Sequence, residues 1–113
     1  MEVKINLRPA GVRVRVTFNG EVVADTTEAV RLDEGTYPPV YYLPRKDVKM
    51  ERLIRTSHTS HCPHKGDATY YSLSNGRTAR NAVWSYERPK DDVAAIKELL
   101  AFYPNQVTIE VNA

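Results

Sequence analysis

Two Asn-Gly pairs, each set between strand-like runs, constrain the fold of this chain more than any other feature. A two-residue hairpin of the type I′ class needs positive φ at both central positions, and Asn-Gly is the dipeptide that accepts it most readily. Asn19-Gly20 separates Val12–Phe18 from Glu21–Ala24, and Asn75-Gly76 separates Ala68–Leu73 from Ala79–Tyr86. Both are expected to be hairpin turns. Glu28–Leu32 reads as a further strand ended by Asp33-Glu34-Gly35. Val40–Leu43 lies between Pro38-Pro39 and Pro44, which suits a strand end or an edge, because proline cannot donate a ladder hydrogen bond. Glu51–Ser57 and Val107–Val111 complete the β set. One stretch breaks the pattern. Val93, Ile96, Leu99, Leu100 and Tyr103 keep three- and four-residue spacing, Asp91 or Asp92 can cap, and Pro104 stops, so a helix over Val93–Tyr103 is expected. The sum is a mainly β domain at the α+β border: a compact antiparallel sandwich or half-barrel with one C-terminal helix.

The chain is 113 residues long, 42% hydrophobic and 27% charged. Such a length reads as one domain over residues 1–113, able to fold without a metal or disulfide staple. Its expected core includes Val14, Val16, Val40, Leu53, Ile54, Ala68, Val83, Ile96, Leu99 and Ile109. The one cysteine cannot form an internal disulfide, which fits a reducing compartment. No apolar run approaches the roughly 20 residues of a membrane span, and no signal-peptide core opens the chain. A cytoplasmic location and no membrane partner are therefore expected. With a formal net charge of only +2, the electrostatics demand no nucleic acid. Arg13 and Arg15 alternate with Val12, Val14 and Val16, as on the solvent face of a half-buried strand.

The densest chemistry is His61-Cys62-Pro63-His64-Lys65-Gly66. Pro63 presets φ and Gly66 accepts positive φ, so Cys62 to Gly66 should bend tightly. Three readings apply. His58, His61 and His64 with Cys62 nominally supply zinc ligands. But residues this close cannot easily converge on one ion, and there is no second Cys/His cluster, so no metal or other cofactor is expected. In a catalytic reading, Cys62 is the nucleophile, His61 or His64 its base, and Lys65 the cation favouring the thiolate. In a binding reading, Tyr42, Tyr70, Trp84 and Tyr86 wall a cleft, with Lys65, Arg45 and Asp47 as polar anchors for a small polar or anionic molecule. If Asn75-Gly76 alone forms the loop, strict register puts Tyr71 rather than Tyr70 beside Trp84. Placing Tyr70 there requires a bulge or a longer loop. Beside the binding and catalytic functions, a protein-interaction module using the edge near Pro38–Pro44 is a further class. Oligomeric state is open.

Five motifs occur in order. They are Gly20-Glu21-Val22-Val23-Ala24-Asp25-Thr26; Pro39-Val40-Tyr41-Tyr42-Leu43-Pro44 with Asp47-Val48; Cys62-Pro63-His64-Lys65-Gly66 with Ala68 and Tyr70-Tyr71; Ala82-Val83-Trp84-Ser85-Tyr86 with Pro89; and Ile96 through Ala101-Phe102-Tyr103. Together they resemble the bacterial family called domain of unknown function 427, over nearly the whole chain. The resemblance implies a β-tent-like architecture in which two antiparallel sheets lean together over a cleft. His64 stands where that family's turn resembles an aromatic. The family is sometimes labelled nucleotidyltransferase-type, yet this chain has neither a Gly-rich phosphate loop nor paired aspartates at metal-ligand spacing.

Overall fold

A computed structural model describes residues 4–112. Ten strands follow in chain order: β1 Ile5–Pro9, β2 Val14–Phe18, β3 Glu21–Thr26, β4 Val30–Glu34, β5 Val40–Tyr42, β6 Leu53–Cys62, β7 Gly66–Ser74, β8 Thr78–Ser85, β9 Ala101–Phe102 and β10 Thr108–Val111. All pair antiparallel, in sheets ordered β1-β4-β5, β10-β2-β3 and β6-β7-β8-β9. The antiparallel β architecture is the expected one, with three sheets where the resemblance implied two. Strand β1, an alternation of Ile5 and Leu7 with Asn6 and Arg8 against β4, is an addition to the sequence reading. Among the described residues no helix is long and apolar enough to cross a membrane.

The four-stranded sheet carries a core on each face. Side chains alternate along a strand, so Ala68, Tyr70, Trp84 and Tyr86 share one side. There they meet Leu32 and Tyr42, with Ile5, Leu7 and Val40 around them. Tyr71, Leu73, Val83 and Phe102 belong to the other core, with Val14, Val16, Phe18 and Val23. Of the expected core, Val14, Val16, Ala68, Val83 and Ile96 are buried, while Val40, Leu53, Leu99 and Ile109 pack partly buried against it. Ile54 is a correction. It is 58% exposed, because β6 is the outer strand of its sheet and Ile54 points away from the core that Leu53 joins. Arg13 and Arg15 both reach Asp25 on the neighbouring strand, as solvent-face residues flanking the buried Val14 and Val16.

The two Asn-Gly pairs behave differently. Asn19 (φ 48°) and Gly20 (φ 80°) make the expected two-residue turn. At the second, Ser74 faces Thr78 rather than Arg77, so the loop has three residues and Gly76 (φ 99°) takes the positive φ. The Asn75 side chain is engaged elsewhere: its Nδ2 donates to the Phe18 carbonyl (2.9 Å) and to Glu21 Oε1 (3.2 Å). Asn19 Nδ2 in turn donates to the Asn75 carbonyl at 3.3 Å. The tips of hairpins from two different sheets thus clasp each other.

The C-terminal helix is far shorter than expected. A 3₁₀ segment covers Asp91–Ile96 and is kinked at Val93; after it the chain turns extended. Glu98 adopts φ 62°, Leu43 and Leu100 exchange backbone hydrogen bonds of 2.8 and 2.9 Å, and Ala101 and Phe102 pair with Trp84 and Val83. The helical spacing loses to the unpaired edges of β8 and of the segment after β5, each of which needs backbone partners.

Candidate functional site

The Cys62–Gly66 turn joins β6 to β7 and is held from both sides. Lys65 N–H donates to the Cys62 carbonyl (3.2 Å), and Lys90 N–H to the Lys65 carbonyl (2.9 Å). Gly66 sits at φ 116°, and a Cβ there would lie 3.3 Å from the Arg88 carbonyl oxygen. This clamp sends Lys65 inward. Its side chain is 13% exposed, and its Nζ lies 2.9 Å from Glu34 Oε1 and 6.0 Å from the centre of the Tyr86 ring. The ammonium expected to await an acidic ligand is therefore already paired.

The aromatic set converges as the binding reading requires. A register shift between Tyr71 and Leu73, with Asn81 at φ 52°, adds a bulge to the three-residue loop. Both irregularities move β8 along β7, and Tyr70 comes to lie opposite Trp84. Tyr71 goes to the other core. The Trp84 Nε1–H donates to Tyr42 Oη at 3.3 Å, with the two rings edge-on at 6.3 Å. Tyr86 lies 6.5 Å from Tyr42. Cys62 packs partly buried against the same cluster. Tyr42 and Tyr86 are buried, and burial pushes both phenols up, Tyr42 to about 12 against the opposing pull of its Trp84 hydrogen bond. These two rings are packed cluster rather than open wall. Trp84 remains partly accessible.

Other candidates lie elsewhere. Arg45 reaches Tyr71 Oη and Ser85 Oγ, both at 3.3 Å, on the opposite face of the sheet from Tyr70 and Trp84. Its Nε donates to the Glu98 carbonyl (2.6 Å), and Glu87 is 3.6 Å away. Asp47 accepts from Thr26 Oγ1 at 2.7 Å. Neither joins the aromatic cluster. His61 is next to Cys62 in a strand, so its side chain points to the other side; there its Nδ1 lies 2.7 Å from Asp67 Oδ1. It cannot reach the thiol as a base. His58 instead packs edge-on to Tyr70 at 4.5 Å. Among the described residues no three metal-ligating side chains converge.

Of the several hollows on the surface, the one that adjoins the aromatic cluster lies one step further along. A groove of about 530 Å³ is lined by Glu34, Tyr37, Pro38, Pro39, Val40, Tyr41, Trp84, Phe102, Pro104 and Ile109. Residues of all three sheets border it, so it is the cleft at their junction. Trp84 links it to the aromatic cluster, and Glu34 links it to Lys65. The Tyr103 ring lies 4.5 Å from that of Trp84. Sequence reasoning found Trp84 and marked Pro38–Pro44 as an edge for a protein partner, but it did not join the two into one groove or bring Glu34, Tyr37 and Phe102 to it. The available signal was Tyr37-Pro38-Pro39, three rigid apolar residues beside a charged turn, of which Tyr37 is 69% exposed.

No curated protein matches the chain. The model of the family described as "Domain of unknown function (DUF427)" matches residues 6–113, so this chain, with its clamped Cys-Pro-His-Lys-Gly turn and its aromatic cluster, belongs to that family.

Proposed function

We propose that the protein binds a small molecule in the groove beside the Cys62–Gly66 turn, with Trp84 as the ring the ligand packs on. The observation that carries this reading is the groove itself. Its volume falls within the roughly 300–1,000 Å³ of small-molecule sites, and its walls are aromatic and proline residues with few polar groups. Apolar walls of this kind hold a flat body, and the few polar groups orient it. Lys65 is paired with Glu34 and does not line the groove, so the expected preference for an acidic ligand finds no cation on these walls. Cys62 is a packing neighbour of the cluster with His61 turned away, which favours binding over nucleophilic catalysis.

The test is a thermal-shift screen of small aromatic metabolites, followed by titration while the Trp84 indole N–H is observed by NMR. Trp84 is the sole tryptophan, so its signal is unambiguous. A ligand of the groove should move that signal, bind more weakly to Tyr37→Ala and bind equally well to Cys62→Ser. Hits that leave the Trp84 signal in place would refute the groove as the site.

A further inference from the structure

Resting on the groove reading above, we infer that the ligand carries a protonated amine next to a flat apolar body, and that Glu34 receives the amine. Glu34 is the only charged residue among the ten that line the groove. Its Oε1 accepts from Lys65 Nζ at 2.9 Å, while its Oε2 has no hydrogen-bonding partner among the described residues. Lys65 does not itself line the groove. The pair therefore presents its negative end to the groove and keeps its positive end behind, over Tyr86. Arg31, two strand positions before Asp33, is likewise tied to that carboxylate at 3.0–3.2 Å.

The walls point to the same charge. Tyr37, Tyr41, Trp84 and Phe102 bring four aromatic rings to the lining, and an aromatic face attracts a cation by its quadrupole and repels an anion. Pro38, Pro39 and Pro104 add rigid apolar area and no donor from their backbone nitrogens. An anion in this groove would meet an acidic oxygen and electron-rich rings. A neutral flat molecule would gain the walls alone and leave Oε2 to water. A protonated amine gains both.

The experiment uses three probes sharing one ring, 2-phenylethylamine, 2-phenylethanol and 3-phenylpropionate, titrated against the full chain while the Trp84 indole N–H is followed by NMR. The amine should bind tighter than the alcohol by about fivefold, the upper size of one partly exposed ion pair, and the carboxylate should bind weakest. Raising the salt concentration should narrow the gap between amine and alcohol. In Glu34→Gln the amine's advantage over the alcohol should shrink markedly. If that variant does not fold, the three-probe order and its salt dependence on the unaltered chain decide. An alcohol or carboxylate that binds as well as the amine overturns the cation assignment and leaves the groove standing. If none of the three moves the Trp84 signal, the groove reading itself falls.

Discussion

Glu98 shows how one residue can be held in an unfavourable state by its neighbours. At φ 62° an L-residue with a Cβ is strained by roughly 1–2 kcal/mol. Its side chain is exposed, but its backbone is committed: the N–H donates to the Tyr86 carbonyl at 3.0 Å, and the carbonyl accepts from Arg45 Nε at 2.6 Å. Those bonds survive substitution. Glu98→Gly should therefore stabilise the protein by about 0.5–1 kcal/mol, the relieved strain less the entropy glycine adds to the unfolded chain, as read from urea midpoints. The tyrosines give a second expectation. Tyr42 and Tyr103 are both pushed up to about 12, first by burial, and for Tyr103 also by its hydrogen bond with Tyr70. A phenol that ionises later in the folded state than in the unfolded one leaves stability intact below pH 10. That stability is then lost as pH rises from about 10 toward about 12. Melting temperatures should fall across that window, and tyrosinate absorbance should lag behind that of the unfolded chain.

At the scale of elements, the turn before β7 is the part most sensitive to a single atom. Gly66 combines a positive φ with a carbonyl 3.3 Å from where a Cβ would sit, and the donor holding Lys65 comes from the same segment. Gly66→Ala should cost about 1–3 kcal/mol and loosen Lys65 from Glu34, whereas Gly11→Ala, with nothing within 4 Å, should cost less. Unfolding curves of the two variants check this. The sequence made the hairpins legible because their signal is local: Asn-Gly with alternation on either side is enough. The same holds for the Cys62–Gly66 bend. The expected helix gives way because its apolar spacing is a local signal and the partners that outcompete it are not. Leu99, Leu100 and Tyr103 can share a helix face, but Leu43 and Ala82 take the backbones of Leu100 and Tyr103, and those partners are distant in sequence. The site was legible in part for the same reason. Tyr70 lies opposite Trp84 only through a three-residue loop and a bulge at Asn81, neither of which a short pattern announces. Glu34 meets Lys65 only once β4 and the β6–β7 turn have been brought together.

Across the whole molecule, three sheets share two cores, and polar contacts at their margins fix one sheet against another. Glu21 is the hub of one such margin. Hydrogen bonds from Arg52, then Asn75, then Lys49 hold its carboxyl down to about 2, with the Arg52 contact at 2.9 Å and the Lys49 contact at 3.2 Å. A carboxyl lowered by folding contributes stability above its unfolded range, near pH 4.5, and that contribution is lost as pH falls toward about 2. Glu21→Gln should therefore flatten the acid limb of a stability–pH profile while leaving the alkaline limb in place. An unchanged acid limb would place the acid sensitivity elsewhere.

The clasp between hairpin tips also gives the molecule a clock. Asparagine followed by glycine is the pair most open to succinimide formation: the glycine nitrogen attacks the side-chain carbonyl, ammonia leaves, and water reopens the ring to aspartate or isoaspartate. At Asn75 the nitrogen that would depart is the one donating to Phe18 and Glu21. Ageing there would replace a donor by a carboxylate facing another carboxylate. At Asn19 it would remove the donor to the Asn75 carbonyl. Protein stored at mildly alkaline pH should accumulate the corresponding mass gain in the peptides spanning these residues, more slowly at Asn75 while the fold is intact than in the unfolded chain. Each converted molecule should melt at a lower temperature than its fresh counterpart.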